Sequence, residues 1–243
     1  MNIMRIIGLS ILVVFASTTT LRPAANQATV MGHVVVTKAL SKKRVALPSY
    51  EVRGMATGPK TSGKSSNSAP EIDEMSRVIV YLEGPGLDPG PPANVTLSQK
   101  NQHFDPEILA VPVGSTVSFP NADPIFHNVF SLSKIKNFDL GYYPEGQTRG
   151  VKFDRPGIVQ VYCHLHADMS AAILVVPNSW WVRPSGDGSF SLSGFPPGSY
   201  RLVAWHRSAG LFTRQIKVSA GQTISLDIVI PLTELAATSA LTK

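Results

Sequence analysis

The chain is poor in cysteine, histidine and charge: of its 243 residues, one is Cys, six are His, and 16% are Asp, Glu, Lys or Arg. One thiol cannot close an internal disulfide, so a disulfide-stapled scaffold is excluded. The only long apolar run, Ile6 to Ala16, is too short to span a bilayer, which takes about 20 residues. No nucleophile triad, phosphate-cradling glycine loop or paired-carboxylate signature stands out. Aromatic residues do not interleave with the clustered basic ones, which speaks against nucleic acid as a partner. Nor does any sustained 3.6-residue apolar period argue for helices.

At the N-terminus, Arg5 precedes the apolar run, and small or polar residues follow to about Ala28. This is the pattern of a secretory signal peptide over residues 1–28, and it implies a periplasmic or secreted protein with no transmembrane segment in the mature chain. Such a compartment is oxidising, so an exposed lone thiol would oxidise or pair between molecules. Metal ligation would protect Cys163; burial as an inert side chain is the plainer alternative.

The charge is concentrated. Without Arg5 and Arg22 the chain has 20 basic against 16 acidic side chains, and seven of the basic ones lie between Lys38 and Lys64, opposed there by Glu51 alone. Residues 38–74 are also rich in Gly, Ser and Pro and read as a flexible basic loop. Weak docking to an anionic surface through 38–64 is one option and a solvated insertion the blander one, which we prefer.

The remainder is patterned for strands. Runs such as HVVVTK, RVIVYLEG, STVSFPN, GIVQVYC, AAILVVP, YRLVAW and ISLDIVIP alternate with Gly, Pro, Asn and Asp turns. The fold class is therefore all-β, with enough chain for two sandwiches.

Against that background the letters YCHLHADM stand out. They space Cys163, His166 and Met169 as C-x-x-H-x-x-M, with His127 upstream. Thiolate, thioether and two imidazoles suit copper, and a trigonal His/Cys/His set with a weak axial Met is the arrangement of blue electron-transfer sites. Strand alternation puts Val159, Val161 and Cys163 on one face and Gln160, Tyr162 and His164 on the other. Cys163 thus points inward, a tight loop can return His166 and Met169 to the same centre, and His164 points away. A second metal site using His164 is the minor alternative. His33, His103 and His206 have no ligand-like spacing and read as structural or solvent-facing. A binuclear copper centre would need a second cysteine, and multicopper enzymes need further histidine clusters.

The stretch from Val95 to Val176 resembles the cupredoxins, with an amicyanin-like ligand loop shorter than that of plastocyanin. V-x-x-G-x-x-V-x-F-x-N from Val111 to Asn121, H-N-V at His127 to Val129 and F-D-x-P-G from Phe153 to Gly157 agree with it. The resemblance implies a Greek-key sandwich over 93–177 that holds one type 1 copper. It makes His127, Cys163 and His166 the equatorial ligands and Met169 the axial one. Asn128 would hydrogen-bond around the thiolate and tie the ligand segments together, and Tyr162 would be a candidate electron path or ordinary packing. The segment DGSFSLSGFPPGSYRLVAW, Asp187 to Trp205, resembles the carboxypeptidase-regulatory-like, or transthyretin-like, sandwich, for which Gly32 to Val36 and Val78 to Leu82 would supply the opening strands. We expect that sandwich to comprise 29–92 and 178–233, with the cupredoxin inserted in it or adjoining it, and a tail at 234–243. Exported bacterial proteins described as methylamine-utilisation-like are similar to this combination.

The resemblance implies an electron-transfer protein rather than an enzyme, with redox partner proteins that remain unidentified. Copper scavenging or delivery without electron transfer is the second reading. The third is an adhesion or glycan-associated module with structural copper, supported by Trp180 and Trp181, of which one is expected in the core.

Overall fold

The computed structural model describes residues 26–37 and 73–232. Nearly all of the expected signal peptide, most of the basic segment 38–74 and the tail 234–243 lie outside these residues. The chain opens with β1 (Ala28–Val36) and, after a short 3-10 turn at Glu74–Arg77, β2 (Val78–Glu83). Next come β3 (Asn94–Thr96), β4 (Ser98–Lys100), β5 (His103–Asp105), β6 (Ile108–Pro112), β7 (Thr116–Pro120) and β8 (His127–Ser133). Then follow β9 (Lys136–Tyr143), β10 (Thr148–Lys152), β11 (Gly157–Tyr162), β12 (Ser170–Val176) and β13 (Trp181–Val182). The last are β14 (Ser189–Phe195), β15 (Gly198–His206), β16 (Gly210–Val218), β17 (Thr223–Ser225) and β18 (Ile228–Ile230). No helix among the described residues is long and apolar enough to cross a membrane.

Of five sheets among the described residues, four stack around three apolar cores and the fifth is the two-stranded pair β4-β5. The outermost on one side joins β14, β1, β17 and β18; the next is β13-β2-β15-β16. Their shared core holds Val30, Val34, Val80, Leu82, Leu192 and Leu202. On the other side β6-β12-β11-β8-β9 faces β10-β7-β3 across Val117, Phe119, Val129, Val161, Ile173, Cys163 and Met169. Between the two sandwiches a third core packs Ile79, Tyr81, Val203 and Trp205 of one against Ile108, Ala172, Leu174 and Val176 of the other.

This third core explains two sequences that do not alternate. Along β2, Val78, Val80 and Leu82 face one core while Ile79 and Tyr81 face another; along β12, Ala171, Ile173 and Val175 alternate in the same way with Ala172, Leu174 and Val176. A strand covered on both faces reads as a continuous apolar run. Each fully buried aliphatic side chain contributes on the order of 1.5–3 kcal/mol, so the junction between sandwiches is comparable in kind to their interiors.

The first two sheets draw strands from both sides of residues 94–176: β1 pairs β14, and β2 pairs β13 and β15. Halfway along β1 its parallel partner changes from β17 to β18. The crossing needs Gly32, because a Cβ there would lie 1.6 Å from the Leu226 carbonyl oxygen. Phe190, Leu192, Tyr200, Leu202 and Ala204 are buried, following the alternation read in the sequence. Neither tryptophan of the pair is fully buried: Trp180 packs on the first core and Trp181 on the junction, each partly covered.

Candidate metal centre

The inward face of β11 carries Val159 and Val161, and Cys163 continues that face just beyond the strand end. His127 opens β8, whose inward positions His127, Val129 and Ser131 are all buried. The two strands lie side by side in one sheet, which brings Cys163 Sγ to 3.8 Å from His127 Nδ1. The loop then returns: the Met169 amide donates to the His166 carbonyl at 3.0 Å, and the Cys163 amide donates to the Met169 carbonyl at 3.2 Å. Those two bonds place His166 Nδ1 3.7 Å from the sulfur. The ligand atoms of His127, Cys163 and His166 all lie within 4.8 Å of one another. Among the described residues this is the one group of three or more His, Cys, Asp or Glu side chains so disposed.

Exposure divides these residues by position. His127 is 0% exposed, Met169 1% and Cys163 5%, whereas His166 is partly open to solvent. Leu165, which precedes His166 in the loop, and Pro124, Ile125 and Phe126, which lead into His127, are all exposed. Met169 belongs to the sandwich core.

The buried histidine is held from behind. Its Nε2 lies 2.8 Å from Asp123 Oδ2, so the ring donates to the carboxylate and its Nδ1 lone pair is left facing the thiol. Asp123 also accepts from the backbone amides of Asn101 at 2.6 Å and Gln102 at 2.8 Å. Burial pulls this carboxyl upward, but the amides and the His127 ring outweigh it and hold the group below the usual carboxylate range. Asn121 sets the turn: its Oδ1 accepts from the Asp123 amide, and its Nδ2 donates to the carbonyls of Ile125 and Tyr143. Tyr143 donates to the Phe119 carbonyl and accepts from Gln99, completing a buried polar layer under the site.

Asn128 points to the opposite face of β8. Its Oδ1 accepts from the His164 amide at 2.8 Å and its Nδ2 donates to Asp139, so one side chain joins the strand of His127 to the loop of Cys163. The His164 ring stacks on Phe130 at 3.8 Å, 45% exposed, with Asp139 3.6 Å from its Nε2. Tyr162 is exposed on that outer face, its ring 5.8 Å from Phe130. The structure thus gathers His127, Cys163 and His166 at one point, buries Met169 in the adjoining core, and leaves His164 and Tyr162 outside. His206 is buried, while His33 lies at the surface beside Asp227 and His103 is exposed.

Asp123 is not among the residues that the sequence singles out. Its spacing four residues before His127, behind an Asn-x-Asp turn, was the available signal. A soft thiolate with two borderline imidazoles fits copper better than a hard cation that prefers oxygen.

Residues 178–226 match the family model described as polysaccharide lyase family 4, domain II, a description that differs from the carboxypeptidase-regulatory-like resemblance. None of the curated proteins matches the chain. Among solved structures, a Cu-containing nitrite reductase from Thermus scotoductus SA-01 is 26% identical over 36% of this chain, with a TM-score of 0.34; the match spans 23% of that enzyme. A mutant of amicyanin in the Cu(I) state is 19% identical over 34% of this chain and 82% of its own, with a TM-score of 0.33. A purple cupredoxin from Nitrosopumilus maritimus is 22% identical over 34% of this chain and 99% of its own, with a TM-score of 0.32.

Proposed function

We propose that the chain is an exported type 1 copper protein that carries single electrons between partner proteins. The observation that carries this reading is a buried thiol flanked by two imidazole nitrogens at 3.8 and 3.7 Å. Bound there, copper would supply a one-electron couple between Cu(I) and Cu(II). Cys163 would provide the thiolate, His127 and His166 the imidazoles, and Met169 a thioether. Asp123 fixes the ring orientation of His127, and Asn128 keeps the two ligand segments in register. Because both segments are pinned by the sheet and its hydrogen bonds, the ligands need move little when the charge changes.

His166, partly exposed, is the exit for the electron, with the exposed Pro124, Ile125, Phe126 and Leu165 as its apolar rim in this reading, and Tyr162 offers a second route on the outer face. In this reading residues 93–177 form the copper domain, 29–92 and 178–233 form the sandwich that carries it, and residues 1–28 direct export to the periplasm or beyond. The redox partners are proteins that present a complementary apolar patch.

Loading the metal-free protein with one equivalent of Cu(II) should give an intense visible thiolate-to-copper band. Cys163→Ser should abolish it and His164→Ala should leave it nearly unchanged. A colourless adduct in the unsubstituted protein would overturn the reading. Rapid copper release together with slow electron self-exchange would favour scavenging or delivery instead. The match of residues 178–226 to a polysaccharide lyase domain supports a second reading, a glycan-associated module; glycan binding that survives removal of copper would favour it.

A further inference from the structure

The junction between the sandwiches contains a polar assembly around Arg207 that reaches the loop Cys163–Met169. Arg207 follows β15 in the carrying sandwich and is 14% exposed. Its Nη2 donates to Ser170 Oγ at 2.8 Å, and its Nη1 donates to the Glu107 carbonyl at 3.0 Å and pairs with Glu107 Oε1 at 2.7 Å. Glu107 is fixed in turn by Arg77 Nη2 at 2.5 Å and by the Ala172 amide, which donates to its carbonyl at 3.0 Å. The Arg207 amide donates to the Arg77 carbonyl, so the guanidinium is anchored at its base as well. Arg207 therefore clamps the starts of β6 and β12 from outside the copper-domain fold.

Ser170 is where this matters. It is the residue after Met169 and the first of β12, paired in register with Tyr162, the residue before Cys163. The loop Cys163–Met169 closes through the Met169 carbonyl and amide, so its exit is fixed only as well as Ser170 is. A planar guanidinium bridging two strand ends restrains direction as well as distance, which an ammonium on a flexible stem cannot do.

We infer that Arg207 is a positioning residue for the candidate metal centre: through Ser170 it sets the placement of Met169, which makes the second sandwich a working part of the site and not only its carrier. The inference rests on the copper reading for its consequence, though not for its geometry.

The test therefore begins with metal-free protein labelled at the methionine methyls, with the Met169 resonance assigned through Met169→Leu. Arg207→Gln and the milder Ser170→Ala should both displace that resonance and speed amide exchange at Cys163 and Met169 at least tenfold relative to the Leu202 amide, which reports global opening. The double variant should go little beyond Arg207→Gln alone, since both changes cut one contact. Arg201→Gln, on the preceding strand β15 but paired with Glu83 away from the loop, should do neither. In the copper-loaded protein the ratio of the two thiolate-to-copper bands and the rhombicity of the electron paramagnetic resonance signal should shift together in Arg207→Gln. Arg207→Lys should restore them only in part. If Arg207→Gln and Ser170→Ala lower the melting temperature but leave the Met169 resonance and the Cys163 and Met169 exchange unchanged, Arg207 is an interface contact and the inference is overturned. If those metal-free signals move while the unsubstituted protein gives no blue spectrum, the positioning stands and the copper reading falls.

Discussion

His206 gives the stability of this protein a pH dependence that can be worked out. It is 0% exposed at the end of β15, and its Nδ1 accepts from the amides of Ser208 at 3.2 Å and Ala209 at 3.1 Å. The proton of the neutral ring therefore sits on Nε2, which donates to Glu74 Oε2 at 3.1 Å. Protonating Nδ1 would break two hydrogen bonds, and burial, followed by the nearby Arg77 charge, pulls the ring from its usual 6.5 to about 4. The unfolded chain thus binds a proton that the folded chain refuses between those values. Stability from this residue is fully present above pH 6.5 and is lost as pH falls toward 4. At 1.36 kcal/mol per unit the loss is at most about 3 kcal/mol, a large part of the 5–15 kcal/mol typical of a domain. Urea denaturation of the metal-free protein at pH 7, 6, 5 and 4 measures it against His206→Asn, whose amide oxygen can still accept from the two backbone amides but does not titrate. The unsubstituted protein should lose about 2–3 kcal/mol more than the variant over that range. Parallel pH profiles would refute the assigned tautomer and the burial argument with it.

Asp123→Ala should cost the metal-free protein about 3–5 kcal/mol by urea denaturation, because it strands a buried histidine N–H and the amides of Asn101 and Gln102; a loss below about 1 kcal/mol would mean that Asp123 is not holding the loop. Leu174→Ala, in the junction between sandwiches, should cost about 2–5 kcal/mol by the same measurement, as any well-packed core leucine does, and a negligible change would mean the two sandwiches are not firmly packed. Gly32→Ala should lower the melting temperature sharply, since backbone occupies the space, whereas Gly186→Ala, with nothing within 4 Å, should be close to neutral.

The local part of the site was legible because its information is local. C-x-x-H-x-x-M fixes three side chains on one loop, and period-two alternation separates Cys163 from His164 without any knowledge of the fold. The all-β class was legible for the same reason. What escaped the sequence lies in contacts between distant residues. Asp123 does not stand out in the sequence because its work depends on where the Asn101 and Gln102 amides fall. The apolar runs in β2 and β12 announced strands, but a continuous run does not say what covers each face. Arg207 meets Ser170 and Glu107 across 37 and 100 residues, and no periodicity encodes such a meeting. His206 was read as structural or solvent-facing; its burial follows from the two-sided coverage of β15 that only the stacking of sheets creates.

X-ray absorption at the copper edge of the protein loaded with one equivalent of metal tests the central claim most directly. One short sulfur neighbour and two nitrogen neighbours, with the sulfur lost in Cys163→Ser, is the result predicted for copper held by Cys163, His127 and His166. A shell of nitrogen and oxygen alone, unchanged by that substitution, would contradict it.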